Sequence, residues 1–311
     1  MRARVQPPAR VGTPPPACRH PPPQAGEGLE PLSPRERVPE AGEGPGPADD
    51  ATLHLTAFGE FEVRVGSLRL DAWPRRKAKL VLAALMLAPH GLTTFDLAEL
   101  LADAQEKGAA AVNMVQVSVF ALRRILEPAL GKGAASRYVH LRDERYLLDP
   151  GLLAETDLRA FDKAMDEGRR LRKPDPAGAA AAFARAVALY RGDLFAESFF
   201  QRWFEAEREA ARADVLEALA WLADRHEDAG EDDAAEALLT RAGAIAPVDA
   251  DVQSRLIDFH ADRRRPDRVR RLYWDYRKAL KARLGFAPDA AFDEAYEAAL
   301  AGAEGRRPAR R

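Results

Sequence analysis

Asn113, Gln116, Arg123 and Arg124 are the first residues whose types and spacing suggest chemistry. They lie in AAAVNMVQVSVFALRRIL, residues 109–126, where helical spacing gathers Val112, Val115, Val119, Leu122 and Leu126 on one stripe and leaves the four polar residues largely off it. Asn and Gln offer a paired donor and acceptor that match a base edge, and Arg reaches guanine or phosphate. A helix exposing them fits a DNA major groove. The same residues also decorate ordinary solvated helices, and spacing alone does not separate the two readings. Two further basic groups accompany them. Arg75, Arg76, Lys77 and Lys79 open an upstream helix, where cations oppose the helix dipole, so they read either as phosphate ligands or as a solvated helix start. Arg142 and Arg145 flank the turn of a predicted hairpin, as phosphate contacts or as a charged tip that blunts edge pairing.

Nothing in the chain assembles a catalytic site. It has six scattered histidines, one cysteine (Cys18) and no glycine-rich phosphate loop, so no enzyme activity, metal or cofactor is expected. The 311 residues carry 47 basic and 49 acidic side chains, a net charge of −2, so any nucleic-acid contact must rest on a local patch. From Leu53 to Pro150 the balance is 13 basic against 11 acidic. The longest unbroken apolar run, Leu80 to Ala88, falls well short of the ~20 residues a membrane helix needs, so no membrane association is expected. No apolar run follows Arg2, Arg4 and Arg10 as in a secretion signal, and the cysteine content suits a reducing, cytoplasmic location.

The positioning elements follow in order. Residues 1–50 hold 13 of the 23 prolines and too few large apolar side chains to offset chain entropy, so a disordered Pro/Gly-rich tail is expected. Leu53 to Phe58, Phe61 to Val65 and Leu68 to Leu70 alternate as an antiparallel meander. Helices are expected over 75–88 and 95–102, the second capped by Thr93 or Thr94, then over 109–130. RYVHLRDERYLLD, residues 137–149, reads as a hairpin. Helix followed by hairpin is the shape of a winged helix-turn-helix. From Asp157 the pattern is helical, with candidate helices over 158–171, 176–190, 202–229, 232–246, 249–262, 267–284 and 289–301. The segments from 202 to 284 look like helix pairs of roughly tetratricopeptide period. Trp203, Trp221, Tyr273, Trp274 and Tyr276 are expected to pack between helices, and the basic run from Arg263 to Arg271 to form a solvated turn or a second contact with DNA or polymerase.

These residues carry a family resemblance. LTAFGEFEVRVGSLRL at 55–70, the basic start at Arg75, TTFDLAELL at 93–101 and NMVQVSVFALRRIL at 113–126 resemble the response-regulator type winged-helix DNA-binding domain of antibiotic-regulatory-protein regulators. TDLRAFDKAM at 156–165, ALYRGDLF at 188–195 and KARLGFAPDAAF at 281–292 resemble the bacterial transcriptional activation domain that follows it in those regulators. The chain departs from the first pattern at Phe120 and Ala121, which stand where that family usually has serine and arginine. An exposed phenylalanine fits a thymine methyl, a protein interface or an extra core position.

The resemblance implies an α+β winged helix-turn-helix over 51–150, then an all-α tetratricopeptide-like domain over 151–302 and a basic disordered tail over 303–311. It implies a transcriptional regulator with double-stranded DNA as partner, and a helical domain for self-association as a homodimer or for contact with RNA polymerase. The alternative is a non-enzymatic protein-interaction scaffold whose winged domain has lost specific DNA binding. The short join, Pro150 to Glu155, predicts that the two domains pack together.

Overall fold

Alternating apolar residues build the first sheet of the computed structural model, which describes residues 51–102 and 108–305. Leu53, Leu55 and Val63 turn into the core from strands β1 (Leu53–Thr56) and β2 (Glu62–Val65). β3 (Leu68–Arg69) completes an antiparallel sheet of order β1-β2-β3, in the register Leu53 to Val65 and Val65 to Leu68. Helix α1 (Arg76–Leu87) is buried over Ala78 and Leu80–Met86, which makes it the central helix of this half.

Strand β4 (Leu92–Thr93) leads into α2 (Thr94–Leu101), and α3 (Ala109–Leu126) packs on both α1 and α2. The hairpin of β5 (Val139–Arg142) and β6 (Arg145–Leu148) joins β4 in a second sheet of order β4-β6-β5. β4 pairs Leu92 with Tyr146 and Thr93 with Arg145. It is absent from the sequence reading, because two residues show no alternation. Gly91 sits beside it with φ +74, and an added Cβ would lie 2.6 Å from the Tyr146 carbonyl oxygen, so glycine allows this close approach.

The second half is a run of helices: α4 (Asp157–Leu171), α5 (Pro176–Leu189), α6 (Glu205–Asp228), α7 (Asp232–Ile245), α8 (Ala250–Asp262), α9 (Pro266–Leu284) and α10 (Ala290–Ala303). Their boundaries follow local chemistry. Thr156, Asp175, Asp249 and Asp289 each accept a backbone N–H at a helix start, and Gly285 closes α9 in the left-handed conformation. α4 packs on α5, α6 on α7 and α8 on α9, with α5–α6 and α7–α8 contacts linking the pairs. The expected tail over 1–50 lies outside the described residues, as does 306–311 of the tail expected over 303–311; Ala303 instead ends α10.

One core cluster joins the first half to α4–α6 and reaches α7, whereas α8, α9 and α10 close over a separate cluster around Tyr273, Tyr276 and Phe292. The loop between β1 and β2 is gripped by the segment from Tyr190 to Phe204. Phe195 N–H donates to Ala57 O (2.9 Å), Gly59 N–H to Asp193 O (3.0 Å) and Ala196 N–H to Gly59 O (2.7 Å). Asp157, at the start of α4, accepts from the backbone N–H groups of Ala57 (2.7 Å) and Phe58 (3.0 Å). Phe58 packs edge-on against Phe161 and tilted against Tyr190, and Phe61 edge-on against Phe195 and Phe200. Arg208 lies buried behind this loop and donates to the carbonyls of Leu194, Phe200, Gln201 and Trp203. Those bonds hold a segment in which Phe195 and Phe204 adopt left-handed backbone angles, which cost a bulky residue roughly 1–2 kcal/mol each.

Candidate nucleic-acid interface

The inner face of α3 is set by Ala111, Val115, Ser118, Val119, Leu122 and Leu126, all buried. Val112, expected on that stripe, is 41% exposed. Ala111 takes the inward position in the first turn, and Val112 lies one step of about 100° further around. By composition and length α3 could cross a bilayer, yet its apolar side packs on α1 and α2. On the face opposite the core, Asn113, Gln116, Phe120 and Arg124 form an exposed stripe with the i, i+3, i+7, i+11 spacing of a helix.

Arg123 is half-buried and ties α3 to the hairpin, its Nε donating to Val139 O at 3.2 Å. Arg124 stays exposed and donates to Leu130 O (2.6 Å), at the end of the turn that follows the helix. The hairpin turn places Asp143 (φ +48) and Glu144 (φ +60) in the left-handed region, the backbone of a two-residue type I′ turn. Arg142 and Arg145 pair directly across its base and are both exposed. Arg145 donates to Gly91 O (3.1 Å) and lies near Asp96. Hydrogen bonds from the backbone and hydroxyl of Thr93 hold the Asp96 carboxyl below the usual carboxylate range, and Arg145 adds to that effect.

The basic start of α1 divides. Arg75 and Arg76 are exposed, the Arg76 guanidinium 6.0 Å from the Phe199 ring. Lys77 reaches Met114 Sδ (2.7 Å), so this end of α1 lies beside the first half of α3. Lys79 corrects the expectation. Its Nζ pairs with Glu197 at 2.6 Å, with the Phe61, Trp73 and Phe200 rings within about 6 Å and only 13% of the side chain exposed. It joins the two halves and is not placed to meet a phosphate. The hairpin turn meets Gly91, beyond the far end of α1, a helix about 18 Å long. The basic residues therefore form separate groups around α3 and do not merge into one patch.

In the helical half, most of the basic run expected as a solvated turn is in ion pairs. Arg263 pairs with Asp232, Arg265 with Glu236, and Arg270 with Asp267 and Glu304. Tyr273 and Tyr276 are buried against Phe292 and Tyr296, and Trp221 packs on Phe183, whereas Trp274 is 58% exposed. Trp203 donates to Leu100 O (2.9 Å), a contact between the halves that spacing could not foretell.

The helix pairs beginning at Thr156 can now be set beside known proteins. Residues 156–300 match the bacterial transcriptional activator domain. The activator-domain match thus covers α4 to α9 and most of α10. In fold, the chain resembles Mycobacterium tuberculosis EmbR, solved in complex with a low-affinity phosphopeptide. The TM-score is 0.56 at 18% identity, over 80% of this chain. The chain spans 65% of the length of that protein. No curated protein matches the chain significantly. The helical half is therefore similar to a domain of bacterial transcriptional activators, and the fold as a whole to that of EmbR.

Proposed function

We propose that the chain is a cytoplasmic, non-enzymatic DNA-binding transcriptional regulator. Residues 51–150 act as a winged helix-turn-helix and 151–302 as a tetratricopeptide-like activation domain for self-association or contact with RNA polymerase. One observation carries this reading most directly: α3 presents Asn113, Gln116 and Arg124 on the side facing away from its core contacts, with the hairpin fixed to its end by Arg123. In a major groove, Asn113 and Gln116 would pair with base edges, and Arg124 with guanine or phosphate. Arg75, Arg76 and Arg142, at the rims, would meet phosphates, with Lys77 and Arg145 beside them. The match of 156–300 to the activator domain supports the second half of the reading.

The scaffold alternative draws on a different observation: Lys79 and Arg123 hold other parts of the fold, which leaves fewer cations for DNA. Salt separates the two. Four phosphate contacts, from Arg75, Arg76, Arg124 and Arg142, predict that log Kobs for the full chain on a selected genomic fragment falls with log salt at a slope of about −3 to −4 per chain. Failure to select any fragment over bulk DNA at moderate salt favours the scaffold.

A further inference from the structure

We propose that Phe120 is a specificity-determining residue that contacts the 5-methyl group of a thymine in the major groove. The proposal rests on the DNA-binding reading and names what one position of that surface recognises. Phe120 is 66% exposed, which removes the extra-core reading of this residue. Among the described residues no aromatic ring or cation stacks on it. At about 100° per residue it lies within about 40° of Asn113, Gln116 and Arg124, at the middle of the stripe opposite the core.

The occupant follows from that setting. Along the stripe the ring is bracketed by two amides and a guanidinium. The other large exposed apolar side chain of α3, Val112, lies about 12 Å along the axis, and Phe95 is exposed on α2. This suits a surface that alternates one apolar group with hydrogen-bonding edges. A protein interface would more readily offer a contiguous apolar patch. In the major groove only thymine presents an apolar group, and phenylalanine is among the side chains that meet it. Phe120 lies one turn beyond Gln116, about 6 Å along the helix, and successive base pairs are about 3.4 Å apart. An adenine read by Gln116 would therefore have the thymine read by Phe120 about two base pairs away.

The test uses the full chain and the operator recovered by footprinting, with each thymine replaced in turn by deoxyuridine, which removes the methyl and leaves pairing intact. At one or two positions affinity should fall about fourfold, the worth of one buried methyl. Phe120→Ser, substituted at an exposed site, should keep its helical circular dichroism, bind the unmodified operator about fourfold more weakly, and lose the uracil sensitivity at those positions alone. Uracil tolerated at every position, with the footprint intact, would overturn the methyl contact and leave the DNA-binding reading standing. So would a variant that keeps the uracil response and loses self-association, which would assign the ring to a protein contact. No footprint from the unaltered chain on any fragment would overturn both.

Discussion

His260 packs against Phe259, 5.3 Å between ring centroids, with Nε2 4.0 Å from Glu236 and Nδ1 buried without a hydrogen-bond partner among the described residues. Burial pushes its pKa below the ordinary histidine value; Glu236 opposes this, while Arg265, Arg268 and Arg263 reinforce it. The folded chain therefore binds fewer protons here than the unfolded chain, so stability falls as pH drops below about 6.5. We expect the melting temperature to decline between about pH 7 and pH 5.5, above the range where most carboxylates titrate, and His260→Gln to flatten that decline. Residues of this kind are hard to read in a sequence, because their neighbours come from elsewhere in the chain. Lys79 makes the same point. Its partner Glu197 is 118 positions away, so a lysine that resembled a phosphate ligand became an ion pair between halves. The outward placement of Asn113 and Gln116 was legible because it depends on one helix, whose period fixes the exposed face.

α2 shows what local chemistry alone can specify. Thr93 and Asp96 form a reciprocal capping box, the Thr93 hydroxyl accepting from Asp96 N–H (3.1 Å) and the Asp96 carboxylate from Thr93 N–H (2.8 Å). Thr93→Ala removes one half of it and should lower stability by about 1 kcal/mol, read by urea unfolding. The sequence shows this cap at Thr93 or Thr94, while helical spacing and breakers alone place the later helix starts to within a few residues of those capped by Thr156, Asp175 and Asp249. Short and tertiary features were not. β4 is two residues long and exists because β6 lies beside it, and the grip of the Tyr190–Phe204 loop depends on Arg208, whose two terminal nitrogens meet the carbonyls of Leu194, Phe200, Gln201 and Trp203. In α3, 3.6-residue periodicity gave the inner face apart from Val112, where the first turn rotates Ala111 inward.

At the scale of the whole molecule, the first half shares a core with α4–α6, and Asp157 is a junction between them. Its carboxylate, 11% exposed, holds Ala57 N–H and Phe58 N–H and also meets Arg191 at 3.2 Å. Asp157→Ala leaves two buried backbone donors unpaired, at a cost of about 2 to 4 kcal/mol. Because Phe58, Phe161 and Tyr190 lie in the same aromatic cluster, the loss should shift one cooperative unfolding transition rather than split it, as followed by tryptophan fluorescence and circular dichroism together. Base reading by α3 is tested by a footprint of the full chain on a selected genomic fragment, beside an Asn113→Ala, Gln116→Ala variant of equal stability. Protection at the selected site should be lost in the variant while weak, salt-sensitive binding to bulk DNA remains. An unchanged footprint in the variant would contradict the assignment of α3 as the reading helix.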